Sequence, residues 1–302
     1  MAIEDKVLWP EPGSYVVAVS GGVDSIVLLD LLKKSGKYDL VVAHINHGLR
    51  DDASQDEKLV HDRAIELGLN FYSCRIVLGQ GASEAAARER RYEFLKQVKD
   101  ESKAKAIITA HHLDDRLETM ILNERRGAGW LGVSPLRDEA NIKRPLIELS
   151  KAEIYDYAEA NNLSWREDST NIDPGHTARN KIRYEMSESR REELIEILKA
   201  RDEYKLNKFE EVKAIVSAET TQKNGQVWMK RTGLLELDSS MSRDVFYVLL
   251  KQYFASELEI DFDAVVRLDH FYKTAKAGKR LPLSGSLWAE LTHNDMVLYV
   301  AR

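Results

Sequence analysis

Residues 15–32 read YVVAVSGGVDSIVLLDLL. The first six form an apolar, β-branched run ending in serine, Ile26, Leu29 and Leu32 follow helical spacing, and two adjacent glycines separate the patterns. The stretch reads as strand, tight turn, helix. The glycines let the backbone turn without side-chain obstruction. The helix start directs unsatisfied N–H groups and its positive dipole end at the turn, and Ser20 and Ser25 add hydroxyls. SGGVDS (20–25) therefore reads as a phosphate cradle, with Ser20, Gly21, Gly22, Val23, Asp24 and Ser25 as candidate nucleotide-binding residues. It is neither GxxxxGK[ST] nor GxGxxG. A lone carboxylate beside a polyphosphate is repulsive, so Asp24 suggests a bridging Mg²⁺. A plainer role as helix N-cap is the alternative, and the two can coexist.

Outward from this stretch the alternation repeats. DLVVAHIN (39–46) is followed by a helix from about Ser54 to Leu67, NFYSCRIV (70–77) by one over Ser83 to Val98, and AIITAH (106–111) by one from Asp114 to about Arg125. Short apolar strands separated by helices predict a doubly wound, mainly parallel α/β sheet of Rossmann-like type. Ligands of such sheets sit at the carboxyl ends of the strands, which here carry SGGVDS, HINHGLR (44–50) and TAHHLDD (109–115). Residues 126–147 read as loop, with Gly127, Gly129, Gly132, Pro135 and Pro145. A helix over Lys151 to Asn161 opens with a capping box of Ser150 and Glu153. A charged helical run then reaches about Ala218, with a domain boundary expected inside it near residue 200. SRDVFYVLLKQYF (242–254) and DFDAVVRLDHFYKTA (261–275) read as amphipathic helices, and residues 279–302 as two or three short antiparallel strands. The expected organisation is a nucleotide-binding domain over 1–200 and a smaller α+β domain over 201–302.

Composition bounds the function. The 302 residues carry 44 Lys+Arg against 50 Asp+Glu, a net charge of -6, and are 43% hydrophobic and 31% charged, which excludes a disordered or fibrous chain. The single cysteine, Cys74, excludes an internal disulfide or a Cys-rich zinc site and points to a reducing compartment. No segment approaches the ~18 uninterrupted apolar residues of a membrane helix, and the N-terminus lacks an apolar signal region, so a cytoplasmic protein is expected. The negative balance argues against a uniformly basic nucleic-acid binder. Any such partner has to be met by local patches, as at 88–91, 125–126, 143–144, 179–183 and 273–280.

HHLDDRLET (111–119) opens the helix after the fourth strand, so Asp114 and Glu118 lie one turn apart on one face with Asp115 beside them. Such a cluster can bind Mg²⁺ or an ammonium group, or simply complement the helix dipole. The histidines do not have HExxH spacing. Taken by itself, ARERRYEFL (87–95), with Arg88 and Arg91, reads as a solvated charged helix face. Asp168, Ser169 and Asn171 line a cleft or make Asx turns.

Together, SGGVDS, HINHGLR, SEAAARERRY (83–92), HHLDDRLET, RRGAGWLG (125–132), RPLIELSKAEIYDYA (144–158), WREDSTN (165–171) and ARNKIR (178–183) resemble, in order, the motifs of the tRNA(Ile)-lysidine synthetases. These belong to the PP-loop ATP-pyrophosphatase superfamily, of Rossmann-like HUP type. The resemblance covers roughly the first 185 residues. It implies an enzyme that uses ATP, Mg²⁺ and L-lysine to convert the wobble cytidine of the CAU-anticodon isoleucine tRNA into lysidine. The base's C2 oxygen is adenylated with loss of pyrophosphate, and the lysine ε-amine then displaces AMP. It also implies catalytic roles for Asp24, Arg88, Asp114, Asp115 and Glu118, and Mg²⁺ at Asp24 and Asp115. Nucleotide contacts would come from residues 20–25, His47, Arg91, Arg126 and Gly127, and tRNA contacts from Arg179, Asn180 and Arg183, with Lys276, Lys279 and Arg280 in the second domain. A homodimer is compatible with the chain.

The chain also departs from the family. MSESRREELIEILKA (186–200) lacks the usual proline, His176 and Thr177 stand where an aromatic is commoner, and the last third matches mainly through GKRLPL (278–283). The C-terminal aromatics are expected to be core rather than base-stacking platforms. A PP-loop tRNA sulfurtransferase is the runner-up, and it would need cysteines the chain lacks. A non-catalytic nucleotide- or RNA-binding protein on the same fold is the reading from a different class.

Overall fold

The computed structural model describes residues 2–46, 53–76, 84–130, 132, 134–136, 138–139, 141–167, 177–254 and 262–301. It divides into two compact units, Met1–Arg201 and Asp202–Arg302.

The first unit is built on five parallel strands: β1 (Gly13–Ala18), β2 (Tyr38–Asn46), β3 (Asn70–Arg75), β4 (Ala106–Ile108) and β5 (Ile142–Lys143). They lie in the order β3-β2-β1-β4-β5. Strand periodicity sends Tyr15, Val17 and Val19 into one core, with α1 (Val23–Ser35), α2 (Ala53–Glu66) and α5 (Lys151–Ala160). Val16 goes to the opposite core, with Val41, Ala43 and the Leu95 and Val98 side chains of α3 (Glu84–Ser102). Helices on both faces explain why β1 is a continuous apolar run. Burying each Val or Leu of this kind contributes about 1.5–3 kcal/mol.

The chain winds from β1 outward to β3, then returns through α3 to place β4 on the other side of β1. The strand order therefore reverses between β1 and β4, where doubly wound folds open a crevice at the carboxyl ends of their strands. SGGVDS follows β1 and HHLDD follows β4. The latter leads into α4 (Leu113–Arg125), whose Leu117 and Met120 pack on Leu194 and Leu198 of the long α7 (Glu188–Glu219). A shorter helix, α6 (Ala178–Glu185), precedes α7. The Ser150 capping box forms as expected: Ser150 Oγ accepts from Glu153 N–H at 3.2 Å, and Ser150 N–H donates to Glu153 Oε2 at 2.9 Å. Strand β5 lies within the segment read as loop; two residues between Gly/Pro-rich flanks give no periodicity to read.

The second unit contains an antiparallel sheet in the order β6-β7-β10-β9-β8. It is made of β6 (Thr220–Lys223), β7 (Gln226–Lys230), β8 (Arg280–Ser284), β9 (Leu287–Leu291) and β10 (Asp295–Val300), and α8 (Ser239–Phe254) and α9 (Phe262–Thr274) share its core. The β6–β7 hairpin was not expected, although Asn224-Gly225, both at positive φ, is a strong hairpin-turn signal. Phe246 and Tyr272 are fully buried and meet edge to face at 5.3 Å, as core aromatics do. Phe262 departs from that expectation and is 55% exposed.

Candidate active site

The turn after β1 closes on itself through Ser25. Its hydroxyl accepts from Ser20 N–H at 3.1 Å and Gly21 N–H at 3.2 Å and donates to the Gly22 carbonyl at 2.9 Å. Gly21 has φ +96°, which L side chains rarely adopt, and a Cβ on Gly22 would meet only the Ser20 hydroxyl, at 3.6 Å. The approach to Gly22 is thus open. The N-cap of α1 is Gly22 rather than Asp24, so Asp24 lies in the first turn. The leading N–H groups at Val23 and Asp24 have no intrahelical acceptor. The Val23 side chain itself belongs to the core.

Arg166, from WREDSTN, ties this turn to the start of α2. Its N–H donates to the Gly21 carbonyl at 3.0 Å, while its guanidinium donates to Asp56 Oδ1 and Gln55 Oε1, each at 2.6 Å, at the start of α2.

Beside the turn lies a cleft of about 360 Å³ lined by Asp24, His112, Asp114, Asp115, Glu118, Lys151, Arg183, Met186 and Arg191. The Leu113 N–H donates to the Leu149 carbonyl at 2.8 Å, fixing the start of α4 against the entry to α5. Lys151 N–H then donates to Asp114 Oδ2 at 2.8 Å, and its ammonium reaches both oxygens of Asp24 at 2.7 and 2.8 Å. Arg191 Nε donates to Asp114 Oδ1 at 2.8 Å. Arg183 donates from Nε and Nη2 to the two oxygens of Glu118, and from Nη2 to Asp115 Oδ1 at 3.3 Å. His112 stands among the acids, its Nε2 3.7 Å from Asp24 and 3.5 Å from Asp115, and its Nδ1 3.7 Å from Asp114.

These neighbours separate the carboxylates electrostatically. Burial opposes the charge of Asp114, but His112, Arg191 and the Lys151 N–H outweigh it and hold the group well below the usual carboxylate range. Asp115 is also lowered against burial, by His112, His111 and Arg183. Glu118 goes the other way, because its burial is not fully offset by Arg183. Burial works against a charge on His112, yet Asp114, Asp115 and Asp24 together raise it. Burial, with Arg144, Arg88 and Arg91 adding, pushes His111 down to about 4 despite Asp115.

Comparison with known proteins places this geometry. Residues 4–189 match the family described as PP-loop domain. The chain belongs to that PP-loop family. Among curated relatives it is 39% identical over 175 residues to a tRNA(Ile)-lysidine synthase of Exiguobacterium sibiricum, covering 57% of this chain and 42% of that protein. It is 34% identical over 195 residues to the tRNA(Ile)-lysidine synthase of Petrotoga mobilis, covering 61% and 62%. The chain thus spans less than two thirds of the length of these relatives. A solved structure described as a U34-tRNA thiolase from Methanococcus maripaludis with its [4Fe-4S] cluster superposes with a TM-score of 0.55 at 18% identity, over 67% of this chain and 76% of that one; it shares the fold.

In this PP-loop unit Asp24, Asp114, Asp115, Glu118 and Arg183 converge on the cleft, with Arg183 turned toward carboxylates. Arg88 and Arg91 do not line it; both lie over the Tyr92 ring, at 4.9 and 5.8 Å. Arg126 and Gly127 are exposed at the end of α4, where Gly127, at φ +68°, ends the helix. Arg179 Nη2 reaches Thr119 Oγ1 at 3.5 Å, and Asn180 is buried with its N–H on Thr177 Oγ1. In the second unit Lys276, Lys279 and Arg280 are exposed around the turn into β8, and Arg280 pairs with Glu290 at 2.9 Å. His47, Asp168, Ser169, Asn171 and His176 lie outside the described residues.

Four side chains at this site were not anticipated as functional: His112, Lys151, Arg166 and Arg191. Arg191 comes from the proline-free segment noted as a departure from the family.

Among the described residues no three His, Cys, Asp or Glu form a closed metal cage. Mg²⁺ does not require one, since it usually takes one or two carboxylates and completes its shell with waters and substrate phosphates. Asp24 and Asp115, both beside His112 Nε2 near the open turn, fit that requirement. No helix among the described residues is long and apolar enough to cross a membrane.

Proposed function

We propose that this chain ligates L-lysine to C2 of the wobble cytidine of a CAU-anticodon isoleucine tRNA, consuming ATP and releasing AMP and pyrophosphate. The observation that carries the reading is the convergence of the β1 phosphate turn and the β4 acidic cleft at the strand-order reversal, in a chain similar to tRNA(Ile)-lysidine synthases over that region.

In the first step the cytidine O2 attacks the α-phosphorus and pyrophosphate leaves. The free N–H groups at the start of α1 and the open backbone at Gly22 stabilise phosphate oxygens. Asp24 and Asp115 would hold Mg²⁺, which would supply charge neutralisation for the leaving pyrophosphate. In the second step the lysine ε-ammonium loses a proton, its nitrogen attacks C2, and the C2–O bond to AMP breaks. Glu118 takes that proton. It is the cleft carboxylate whose proton affinity is raised, whereas Asp114 and Asp115 are held ionised and suited to binding cations. Arg183 keeps Glu118 aimed at the cleft. We assign residues 1–200 to catalysis and 201–302 to presenting the tRNA, with Lys276, Lys279 and Arg280 meeting its phosphates.

A sulfur-transferring alternative is disfavoured by the single cysteine, Cys74, which lies on β3 at the sheet edge away from the turn. Pyrophosphate release from ATP tests the proposal. Release that requires the CAU transcript supports it, and release equally fast without RNA contradicts it.

A further inference from the structure

Lys151 holds two parts of the cleft at once. It is the first residue of α5, its N–H is fixed on Asp114, and its ammonium occupies both oxygens of Asp24. The Tyr155 ring, one turn further along α5, lies 5.1 Å from that ammonium on another side. A protein cation therefore sits on the carboxylate that the proposed chemistry offers to Mg²⁺. Two cations sharing one carboxylate repel each other across a few ångströms, and the partly buried setting strengthens that repulsion over its value in water. The contact is nevertheless easy to exchange. Lys151 and Asp24 are 37% and 27% exposed, and an ammonium on a four-carbon stem is a movable point charge suited equally to a carboxylate or a phosphate oxygen.

We propose that Lys151 is an internal counter-cation that competes with the divalent metal for Asp24 and transfers to the nucleotide phosphates when ATP binds, so that the nucleotide opens the metal site. This rests on the ATP reading above. With the turn empty, the ammonium neutralises Asp24 and disfavours a metal there. With a polyphosphate in the turn, Lys151 exchanges one anion for another and leaves Asp24 to the metal. Linkage then makes metal and nucleotide raise each other's affinity, and Lys151 sets part of that coupling. The arrangement would keep a bare metal from settling in the cleft before its substrate.

The test measures Mn²⁺ binding to the full chain by titration calorimetry, with neither tRNA nor lysine, first without nucleotide and then with α,β-methylene-ATP. Lys151→Met should bind Mn²⁺ alone roughly tenfold tighter than the wild type, in the range of ordinary coupling factors, and show a smaller enhancement by nucleotide. Lys151→Arg, which keeps the charge, should retain weak Mn²⁺ binding. Adding Asp24→Asn to Lys151→Met should abolish the gain. Lys151→Gln, which keeps a polar head on a flexible stem, should behave as Lys151→Met and serves if the methionine variant does not fold. Unchanged or weaker Mn²⁺ affinity in the uncharged variants would overturn the proposal, with Lys151 then a structural ion pair. Nucleotide binding with no change at Lys151 defeats this inference alone, whereas absence of nucleotide binding defeats it together with the ATP reading.

Discussion

Arg183 grips Glu118 with two nitrogens, and Glu118 is only 1% exposed while Arg183 is 39% exposed. This pair ties the helix opened by HHLDDRLET to the one opened by ARNKIR, motifs whose partners are 65 residues apart. Removing the guanidinium leaves a buried carboxylate with its main cation gone. Arg183→Ala should therefore cost about 1–3 kcal/mol in denaturant unfolding and raise the proton affinity of Glu118 further. Arg183→Lys should recover part of the stability but not the two-nitrogen grip. An Arg183→Ala variant as stable as the wild type would show that the pair contributes nothing.

The two adjacent histidines should titrate far apart. His111, pushed down to about 4, stays neutral in the fold while the unfolded chain protonates near 6.5, so acidification from 6.5 toward 4 destabilises the protein through this residue. His112 is raised, so its contribution is fully present below 6.5 and is lost as pH rises through its higher folded value. Imidazole NMR of the wild type, assigned with His111→Gln and His112→Gln, checks both signs. Coincident titrations near 6.5 would contradict the electrostatic picture of the cleft.

Arg166 ties the turn after β1 to the start of α2. Arg166→Ala keeps the backbone bond to Gly21 but loses the grip on Asp56 and Gln55, which is worth ~1 kcal/mol. The expected outcome is a KM for ATP raised about fivefold with kcat little changed, since ground-state binding is what loosens. Steady-state kinetics in ATP separates this from a fall in kcat at unchanged KM, which would place Arg166 in the chemistry instead.

Asp24→Asn and Asp115→Asn each remove a charge that faces His112 in the cleft. Each should abolish lysidine formation while leaving the fold intact by circular dichroism. Near-normal turnover in either purified variant would remove that residue from the catalytic account.

The parts of this molecule legible in its sequence are those governed by local pattern. The doubly wound sheet and the cleft position follow from apolar strands ending in SGGVDS and HHLDD, because such sheets place ligands at the carboxyl ends of their strands. The Ser150 capping box is equally local. Strand β5 was not legible because two residues carry no period. The Asn224-Gly225 hairpin carries its signal in the turn alone, since the flanking strands are only 4 and 5 residues long. What the residue-by-residue reading lacked was long-range charge pairing: Lys151 meets Asp24 across 127 residues, Arg166 meets Asp56 across 110, and Arg191 meets Asp114 across 77. A basic residue on a charged helix looks the same in sequence whether it faces solvent or a buried acid. Only the folded chain distinguishes the two, which is also why Arg183 emerges beside carboxylates when RNA had been its expected partner.

The central claim is that lysine is joined to one particular base. Purified protein is incubated with ATP, radiolabelled L-lysine and a CAU-anticodon isoleucine tRNA transcript, and radioactivity in the RNA is counted. The account predicts ATP-dependent incorporation that disappears when the wobble cytidine is replaced. No incorporation into the intact transcript, or incorporation that survives that replacement, would contradict it.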